Sequence, residues 1–249
     1  MDLHKFLYLI IEQKLFFARL DNLDDPFEGI TTKLLRRDAK YSQVPLKLED
    51  FKDDLSKKKK QQLINEKKLH DYLKKDEIEK AQRRQYVNCW YANERESMAM
   101  WNIYSNPDSL ALRVEFNDLK IAITKSFLDF VLENEKRVSV IGDKVTYLPL
   151  NPFDVSLPKQ KFRFSAFKKD VSFQYEMEYR FLIFTVDKLD KQPSHCTIPI
   201  DFSKFQLTVI THPHLDQWKF KNLESLLSKY NSNFKIEKSA TILRAKNFS

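Results

Sequence analysis

The hydrophobic and polar positions along this chain predict short helices and strands in a mixed order. Apolar residues at helical spacing predict helices over 2–14, 30–40, 96–104, 117–136 and 217–230. Alternating or continuous apolar runs predict strands over 15–20, 86–91, 109–116, 176–186, 196–201, 206–211 and 234–238. Because these elements lack the strict βαβ alternation of a parallel sheet, we expect an α+β fold. It would form one domain over 1–249, with a single mixed or antiparallel sheet flanked by helices.

Two further segments have shorter patterns. Residues 137–148 are typical of a hairpin that turns near Gly142 and Asp143. Residues 159–169 combine basic and aromatic side chains and predict a short helix that leads into the strand over 176–186.

Residues 46–84 differ from the rest of the chain, because their apolar positions are sparse and their charges are dense. Residues 47–84 hold thirteen Lys or Arg and nine Asp or Glu, a net charge of +4. This pattern predicts a charged helical insertion that is solvated on most faces. Its basic clusters, Lys57–Lys60 and Arg83–Arg84, are also typical of a surface for nucleic acid or a protein partner.

Composition narrows the possible functions. Gly29 and Gly142 are the only glycines. A P-loop, a dinucleotide-binding GxGxxG turn and a kinase glycine-rich loop each need several glycines near phosphate, so all three motifs are excluded. The formal net charge of +8 favours a polyanionic partner without identifying one.

Cysteine, histidine and hydropathy patterns indicate a cytoplasmic protein without a metal site. Cys89 and Cys196 follow no CxxC spacing, and the histidines are scattered except for His212 and His214. Two unpaired thiols suit a reducing compartment. No apolar run approaches the roughly 18 residues of a membrane span, and the N-terminus has no cleavable signal pattern. We therefore expect no membrane contact.

The segment from Phe173 to Phe184 carries the strongest indication of chemistry. Glu176 and Glu178 are two residues apart, so on a strand they would share one face, about 6.6 Å apart. Two neighbouring carboxylates repel each other, and this arrangement is typical of a site that needs one ionised acid and one that shares a proton. Arg180 follows on the same predicted strand as a candidate rim residue.

Polar residues at three other places are candidates for the same site. Asp25 and Glu28 lie in a turn that Pro26 and Gly29 constrain, although a plain strand-ending turn explains them as well. Helix capping explains one or two residues of the corner before the helix over 96–104, but not all of Asn93, Glu94, Arg95, Glu96 and Ser97. Arg163, Lys168 or Lys169 could neutralise the carboxylates or hold a phosphate, or lie on a plain surface helix. We expect Met98, Trp101 and Tyr104 to be core residues.

These segments together resemble a widespread bacterial family, the domain of unknown function numbered 2971. The matching pieces are LFFARLDNLDDPFEG at 15–29, YVNCWYANERESMAMWNIYS at 86–105 and FKKDVSFQYEMEYRFLI at 167–183, with a looser match over 209–239. The resemblance covers most of the chain outside the insertion. Members usually begin with a short strand of the type Trp-Arg-Tyr ahead of the segment that matches Met1 to Leu3, and this sequence lacks it.

The order of the pieces is also similar to the ADP-ribosyltransferase superfamily. That resemblance implies NAD as cofactor, with Glu178 as the catalytic acid and Glu176 as the contact to the acceptor. It implies Asn93 or Ser97 at the second motif, and Tyr91 or Trp101 stacked on nicotinamide. We thus expect a bacterial effector of phage defence or of a toxin system. Two alternatives stay open: a non-catalytic module that binds nucleic acid or a partner through 46–84, and a metal-dependent nuclease using Asp25, Glu28, Glu94 and Glu176.

Overall fold

The computed structural model describes residues 1–25, 27–134, 138–149, 165–185, 193–230 and 234–241. Its helices are α1 (Leu3–Glu12), α2 (Thr32–Ser42), α3 (Lys57–Arg83), α4 (Met98–Tyr104), α5 (Phe116–Asn134) and α6 (Gln217–Tyr230). Its strands are β1 (Lys14–Arg19), β2 (Gln85–Tyr91), β3 (Leu110–Val114), β4 (Val138–Lys144), β5 (Thr146–Leu148), β6 (Lys168–Asp170), β7 (Glu178–Thr185), β8 (His195–Pro199), β9 (Leu207–Thr211) and β10 (Phe234–Lys238).

The strands are divided among three sheets. A five-stranded sheet has the order β4-β7-β2-β1-β8, and every neighbouring pair in it is antiparallel. A three-stranded sheet has the order β10-β9-β3, with β3 antiparallel and β10 parallel to β9. The short strands β5 and β6 form a parallel pair. Helices and mostly antiparallel strands thus make the protein an α+β fold, as predicted.

One face of the five-stranded sheet holds the larger core. Phe17 of β1 and Phe181 of β7 are essentially inaccessible to solvent there, and they pack with Ile123 of α5. A second core lies against the three-stranded sheet, where Phe6 of α1 and Val209 of β9 are fully buried. Each such side chain stabilises the fold by roughly 1.5–3 kcal/mol through burial.

The opposite face of the five-stranded sheet is partly apolar and partly charged. Leu182 of β7 packs there against Leu20 and Ala166. Side chains two residues apart on a strand share a face, so Arg180 and Glu178 project on this same side. The guanidinium of Arg180 therefore enters a largely apolar layer, where it needs partners to offset its desolvation.

The charged insertion folds mainly as α3, which has 27 residues. Only Ile64, His70 and Gln82 of this helix are buried, in agreement with the predicted solvated surface. The helix packs beside α2, and the ion pairs Lys74–Asp38 and Arg37–Glu77 join the two. These pairs are partly exposed, so each contributes roughly 0–1 kcal/mol.

Three local predictions were wrong. The predicted hairpin over 137–148 is absent, because β4 runs straight through Gly142 and pairs with β7 along its length. Gly142 allows close packing rather than a turn, since an added Cβ would lie 2.6 Å from the Tyr179 hydroxyl. In the predicted helix over 159–169, residues 165–167 form a 3₁₀ turn and the next three form β6, while 159–164 lie outside the described residues. The strand predicted from 176 begins at Glu178.

Gly29 is expected to resist substitution. Its φ is +74°, and an added Cβ would meet Leu20 Cδ1 at 2.5 Å. Gly29→Ala should therefore lower the free energy of unfolding by about 1–2 kcal/mol in urea titrations. Gln13→Gly is a matched variant of opposite sign: Gln13 ends α1 at φ +50°, so glycine should stabilise the protein slightly. Equal effects of the two variants would contradict this account of the backbone.

Candidate functional site

Glu176 and Glu178 reach the same cluster from different elements. Val171–Glu176 is a 3₁₀ turn, Met177 has a φ of +41°, and β7 begins at Glu178. The predicted common strand face is therefore wrong. The turn is fixed to the end of β2, because the Ala92 N–H donates to the Met177 carbonyl at 2.9 Å.

Arg180 is the centre of a buried charge network formed with Lys169, Glu28, Glu176 and Glu178. Its side chain is about 1% exposed. Nη1 and Nη2 donate to the two carboxylate oxygens of Glu28 at 2.8 and 2.7 Å, the bidentate geometry in which arginine holds a carboxylate most firmly. Nε donates to Glu178 Oε2 at 2.5 Å, and Nη1 also donates to the Ala166 carbonyl at 2.7 Å.

Lys169 is the second cation of the network. Its Nζ donates to Glu176 Oε2 at 2.5 Å and lies 3.4 Å from Glu28 Oε1. The same ammonium lies 4.4 Å from the centre of the Phe173 ring. Burial opposes its charge, but the carboxylates of Glu178, Glu176 and Glu28 raise the pKa of Lys169 above its ordinary value. Three carboxylates thus surround two firmly charged cations.

Glu178 is the most accessible carboxylate of the network. Its side chain is 14% exposed, whereas that of Glu176 is 4% exposed. Arg180 occupies Oε2, but Oε1 lies 3.9 Å from Lys169 Nζ, beyond hydrogen-bond distance. Burial raises the pKa of Glu178 despite the nearby cations. Oε1 of Glu178 therefore accepts no hydrogen bond from the described residues.

Lys168 lies outside this network. Neighbouring residues on a strand face opposite sides, so Lys169 faces the carboxylates and Lys168 does not. Burial lowers the pKa of Lys168 to about 8, and its Nζ has no hydrogen-bond partner among the described residues. The predicted neutralising role thus belongs to Lys169. Arg163 lies outside the described residues.

A cleft of about 770 Å³ opens beside the network, between the five-stranded and three-stranded sheets. Residues of β2, β3 and α4 and the corner between β2 and α4 line it. The predicted residues in its lining are Tyr91, Asn93, Glu94, Glu96, Ser97 and Trp101. Glu176 and Glu178 are not lining residues in the described part of the chain.

Two tyrosines connect the cleft to the carboxylates behind it. Tyr91 on β2 lies directly opposite Glu178 on β7. Tyr104, at the end of α4, lines the cleft, and its hydroxyl donates to Glu176 Oε1. Burial, together with the hydrogen bond to Glu176, raises the pKa of Tyr104, so its hydroxyl stays a donor. Tyr104 was expected in the core, but it is about half exposed, as is Met98, whereas Trp101 is buried as predicted.

The polar corner is explained largely by local hydrogen bonds. Asn93 donates to the Tyr91 hydroxyl at 3.1 Å and contacts Met177 Sδ at 3.4 Å, which brings the corner against the Glu176 turn. Ser97 caps α4 by accepting from the Met100 N–H at 3.3 Å. Arg95 is exposed and forms no ion pair with a described residue.

Glu96 holds a part of the chain that is distant in sequence. Its carboxylate accepts from Trp101 Nε1 at 2.9 Å, from the Ala240 N–H at 2.8 Å and from the Ser239 hydroxyl. Burial opposes ionisation, but these donors together lower the pKa of Glu96. The sequence gives no signal for the contact between Glu96 and Ser239, because these residues are 143 positions apart.

The predicted acids divide into two groups. Glu28 joins the network, and Asp25 lies near it with a pKa raised by burial. Glu94 instead lines the cleft. Within the described ranges, no group of three or more His, Cys, Asp or Glu side chains is arranged to hold a metal ion. The described residues therefore lack the converging acidic side chains that a metal-dependent nuclease requires.

Comparison with known proteins identifies no relative. A scan against protein-family models found no match, and neither a search of curated proteins nor a search of solved structures found one. Among the helices described, none is both long and apolar enough to cross a membrane.

Proposed function

We propose that the cleft binds NAD and that Glu178 and Glu176 act on it in an ADP-ribosyl transfer. The observation that supports this most is that both glutamates adjoin cleft-lining tyrosines: Glu178 is the strand partner of Tyr91, and the Glu176 carboxylate accepts a hydrogen bond from the Tyr104 hydroxyl. The similarity of the order of the sequence pieces to that of ADP-ribosyltransferases points the same way. Such an activity suits a cytoplasmic bacterial effector of phage defence or of a toxin system.

The lining offers complementary groups for a dinucleotide. The Tyr91 and Tyr104 rings provide surfaces on which nicotinamide could stack. The exposed Arg95 supplies a guanidinium for the pyrophosphate. Asn93 and Ser97 contribute polar groups at the same end of the cleft.

In the proposed reaction the bond between ribose C1′ and nicotinamide breaks, and its electron pair stays on the nicotinamide nitrogen. The ribose becomes oxocarbenium-like, and the carboxylate of Glu178 stabilises its positive charge. The acceptor then bonds to C1′ and releases its proton. Arg180 and Lys169 hold the carboxylates in position and keep Glu178 from turning away.

The direct test is incubation of the purified protein with NAD and chromatographic measurement of released nicotinamide, alongside calorimetric titration with NAD. We expect the protein to bind NAD and to release nicotinamide slowly even without an acceptor, because water can take the place of the acceptor. A protein that neither binds NAD nor releases nicotinamide contradicts the proposal.

A second function, binding of nucleic acid by α3, is supported by a different observation. Lys57–Lys60 begin this helix, its first turn contains no acid, and these lysines form no ion pair with a described residue. Four lysines without a carboxylate partner among the described residues, at the positive end of a helix dipole, repel one another and attract a polyanion.

Gel-shift assays would test this second function. Binding of duplex DNA or RNA should weaken steeply with salt, and replacing Lys57–Lys60 by alanine should remove roughly three to four units from the slope of log K against log salt. The charge-matched control replaces four lysines in the C-terminal part of the sequence by alanine: Lys219, Lys221, Lys229 and Lys235. An equal loss in both variants would point to general charge rather than α3.

A further inference from the structure

The hydroxyl of Tyr104 lies between the cleft and a buried carboxylate. Tyr104 ends α4 and lines the cleft, and the residue is 48% exposed. Its hydroxyl donates to Oε1 of Glu176, whose side chain is 4% exposed. Lys169 Nζ donates to the other oxygen of Glu176 at 2.5 Å. Both oxygens of Glu176 thus hold a donor, and of these three described side chains only that of Tyr104 lines the cleft.

The hydrogen bonds of Tyr104 determine what its hydroxyl can still bind. A tyrosine hydroxyl has one proton to donate and an oxygen with two lone pairs. Burial and the bond to Glu176 raise the pKa of Tyr104, so this proton stays in place and points to Glu176. In the contact with Tyr175, where the two hydroxyl oxygens are 3.3 Å apart, Tyr175 is therefore the donor. One lone pair of Tyr104 remains without a donor among the described residues, and a ligand that uses it must donate a proton.

The charges around Tyr104 decide which proton donor is suitable. Lys169 and Arg180 already hold two positive charges beside Glu176 and Glu178. A guanidinium would add a third positive charge, and it binds most firmly to two carboxylate oxygens at once, whereas both oxygens of Glu176 are occupied. A guanidinium also keeps its proton, because its ordinary pKa lies above about 12. A neutral hydroxyl needs a single hydrogen-bond acceptor, and the Tyr104 oxygen provides one.

We propose that the acceptor of the ADP-ribosyl group is a neutral hydroxyl, and that Tyr104 passes the proton of this hydroxyl to Glu176. The inference rests on the proposed reaction with NAD. As the acceptor oxygen forms its bond to ribose C1′, its proton moves to Tyr104 Oη and the Tyr104 proton moves to Glu176 Oε1. Nicotinamide leaves as a neutral molecule with the electron pair of the broken bond. The positive charge of the NAD ring and the negative charge of Glu176 thus disappear together, and Glu176 afterwards returns the proton to solvent.

Methanol and agmatine, which carries a guanidinium, distinguish the two acceptor chemistries. The protein is incubated with NAD and either compound, and the products are identified by mass spectrometry. We expect free ADP-ribose from water, methyl ADP-riboside in proportion to the methanol concentration, and no ADP-ribosyl agmatine. Free ADP-ribose without the methyl product would assign water as the hydroxyl. Formation of ADP-ribosyl agmatine would overturn this inference alone, whereas a protein that releases no nicotinamide would overturn the proposed NAD reaction as well.

Tyr104→Phe tests the proton transfer, because phenylalanine keeps the ring and removes the hydroxyl. It should lower kcat about 10²-fold, at the lower end of what general base catalysis contributes. The affinity for NAD in calorimetric titration should stay the same, since the ring that faces the cleft is retained. Tyr230→Phe is the matched control, because Tyr230 is also 48% exposed and ends α6, and its turnover should equal that of the unaltered protein.

Glu176→Gln supplies the second half of this test. The Lys169 ammonium orients the glutamine carbonyl oxygen toward itself, so the amide NH₂ faces Tyr104 and cannot accept its proton. Glu176→Gln should lower kcat about as much as Tyr104→Phe, and the double variant should lose no more than either. Without NAD, the carbon-13 signal of the Tyr104 ring carbon that bears the hydroxyl should move in Glu176→Gln and not in Glu224→Gln. Additive losses in folded variants, or an unmoved Tyr104 signal, would overturn the proposed transfer.

Discussion

Arg180→Met is expected to lower the free energy of unfolding by about 3–5 kcal/mol, the largest stability effect of any single change considered for this chain. Methionine fills similar volume but donates no hydrogen bond. The variant would leave Glu28, about 1% exposed, without its bidentate partner, and Glu178 would lose the one guanidinium contact that it makes with a described residue. A buried carboxylate without a partner costs far more than the pair contributes when intact.

Urea titration followed by circular dichroism measures this loss. Arg113→Met is the matched control, because Arg113 pairs with Glu237 at 2.7 Å on a surface where both side chains are about half exposed. That change should cost roughly 0–1 kcal/mol. Similar losses in the two variants would show that the network around Arg180 is not the stabilising feature described here.

Glu178→Gln is expected to reduce nicotinamide release from NAD by about 10²–10³-fold. Glutamine keeps the size of the side chain and still accepts a hydrogen bond from Arg180, so the fold should be retained. It removes the negative charge that the proposed transition state needs. Kcat should fall more than KM changes, because the lost interaction forms mainly in the transition state.

Glu224→Gln is the control for this variant, since Glu224 is exposed on α6 and far in sequence from the network. Its turnover should match that of the unaltered protein. Thermal melts of both variants separate lost chemistry from lost folding. Full turnover by a folded Glu178→Gln protein would exclude Glu178 as the catalytic acid.

The activity should also depend on pH in a defined direction. Burial raises the pKa of Glu178 above its ordinary value of 4.5, and only the ionised carboxylate stabilises a cationic ribose. Turnover should therefore fall as the pH decreases through this raised pKa, that is, at a pH above 4.5. A rate that stays constant down to the ordinary pKa of glutamate would contradict the role of the buried carboxylate.

The helices and strands were predictable because the spacing of apolar residues along the sequence reflects which side chains are buried in each element. The strand predicted over 86–91 is β2, Gln85–Tyr91, and the helix predicted over 217–230 is α6, Gln217–Tyr230. The turn at Met177 was not predictable in the same way. Its positive φ interrupts a run of residues whose pattern is typical of a strand, and tertiary contacts with β2 hold it.

The three acids of the charge network and its cations Lys169 and Arg180 were all named from the sequence, but which cation pairs with which carboxylate was not predictable. Glu28, Glu176 and Glu178 were chosen from their spacing and turn context, and all three enter one network. Tyr104 was missed because an aromatic residue at helical spacing usually belongs to a core. The Tyr104 hydroxyl links the cleft to the network only because the 3₁₀ turn that ends at Glu176 lies against the end of α4.

The contacts of Glu96 also determine when the cleft can form during synthesis. Its partners Ser239 and Ala240 leave the ribosome some 140 residues after it does. Until then a nascent chain has the corner and α4 but lacks Ala240 and Thr241 in the lining of the cleft, so translation must pass residue 241 before the cleft is complete.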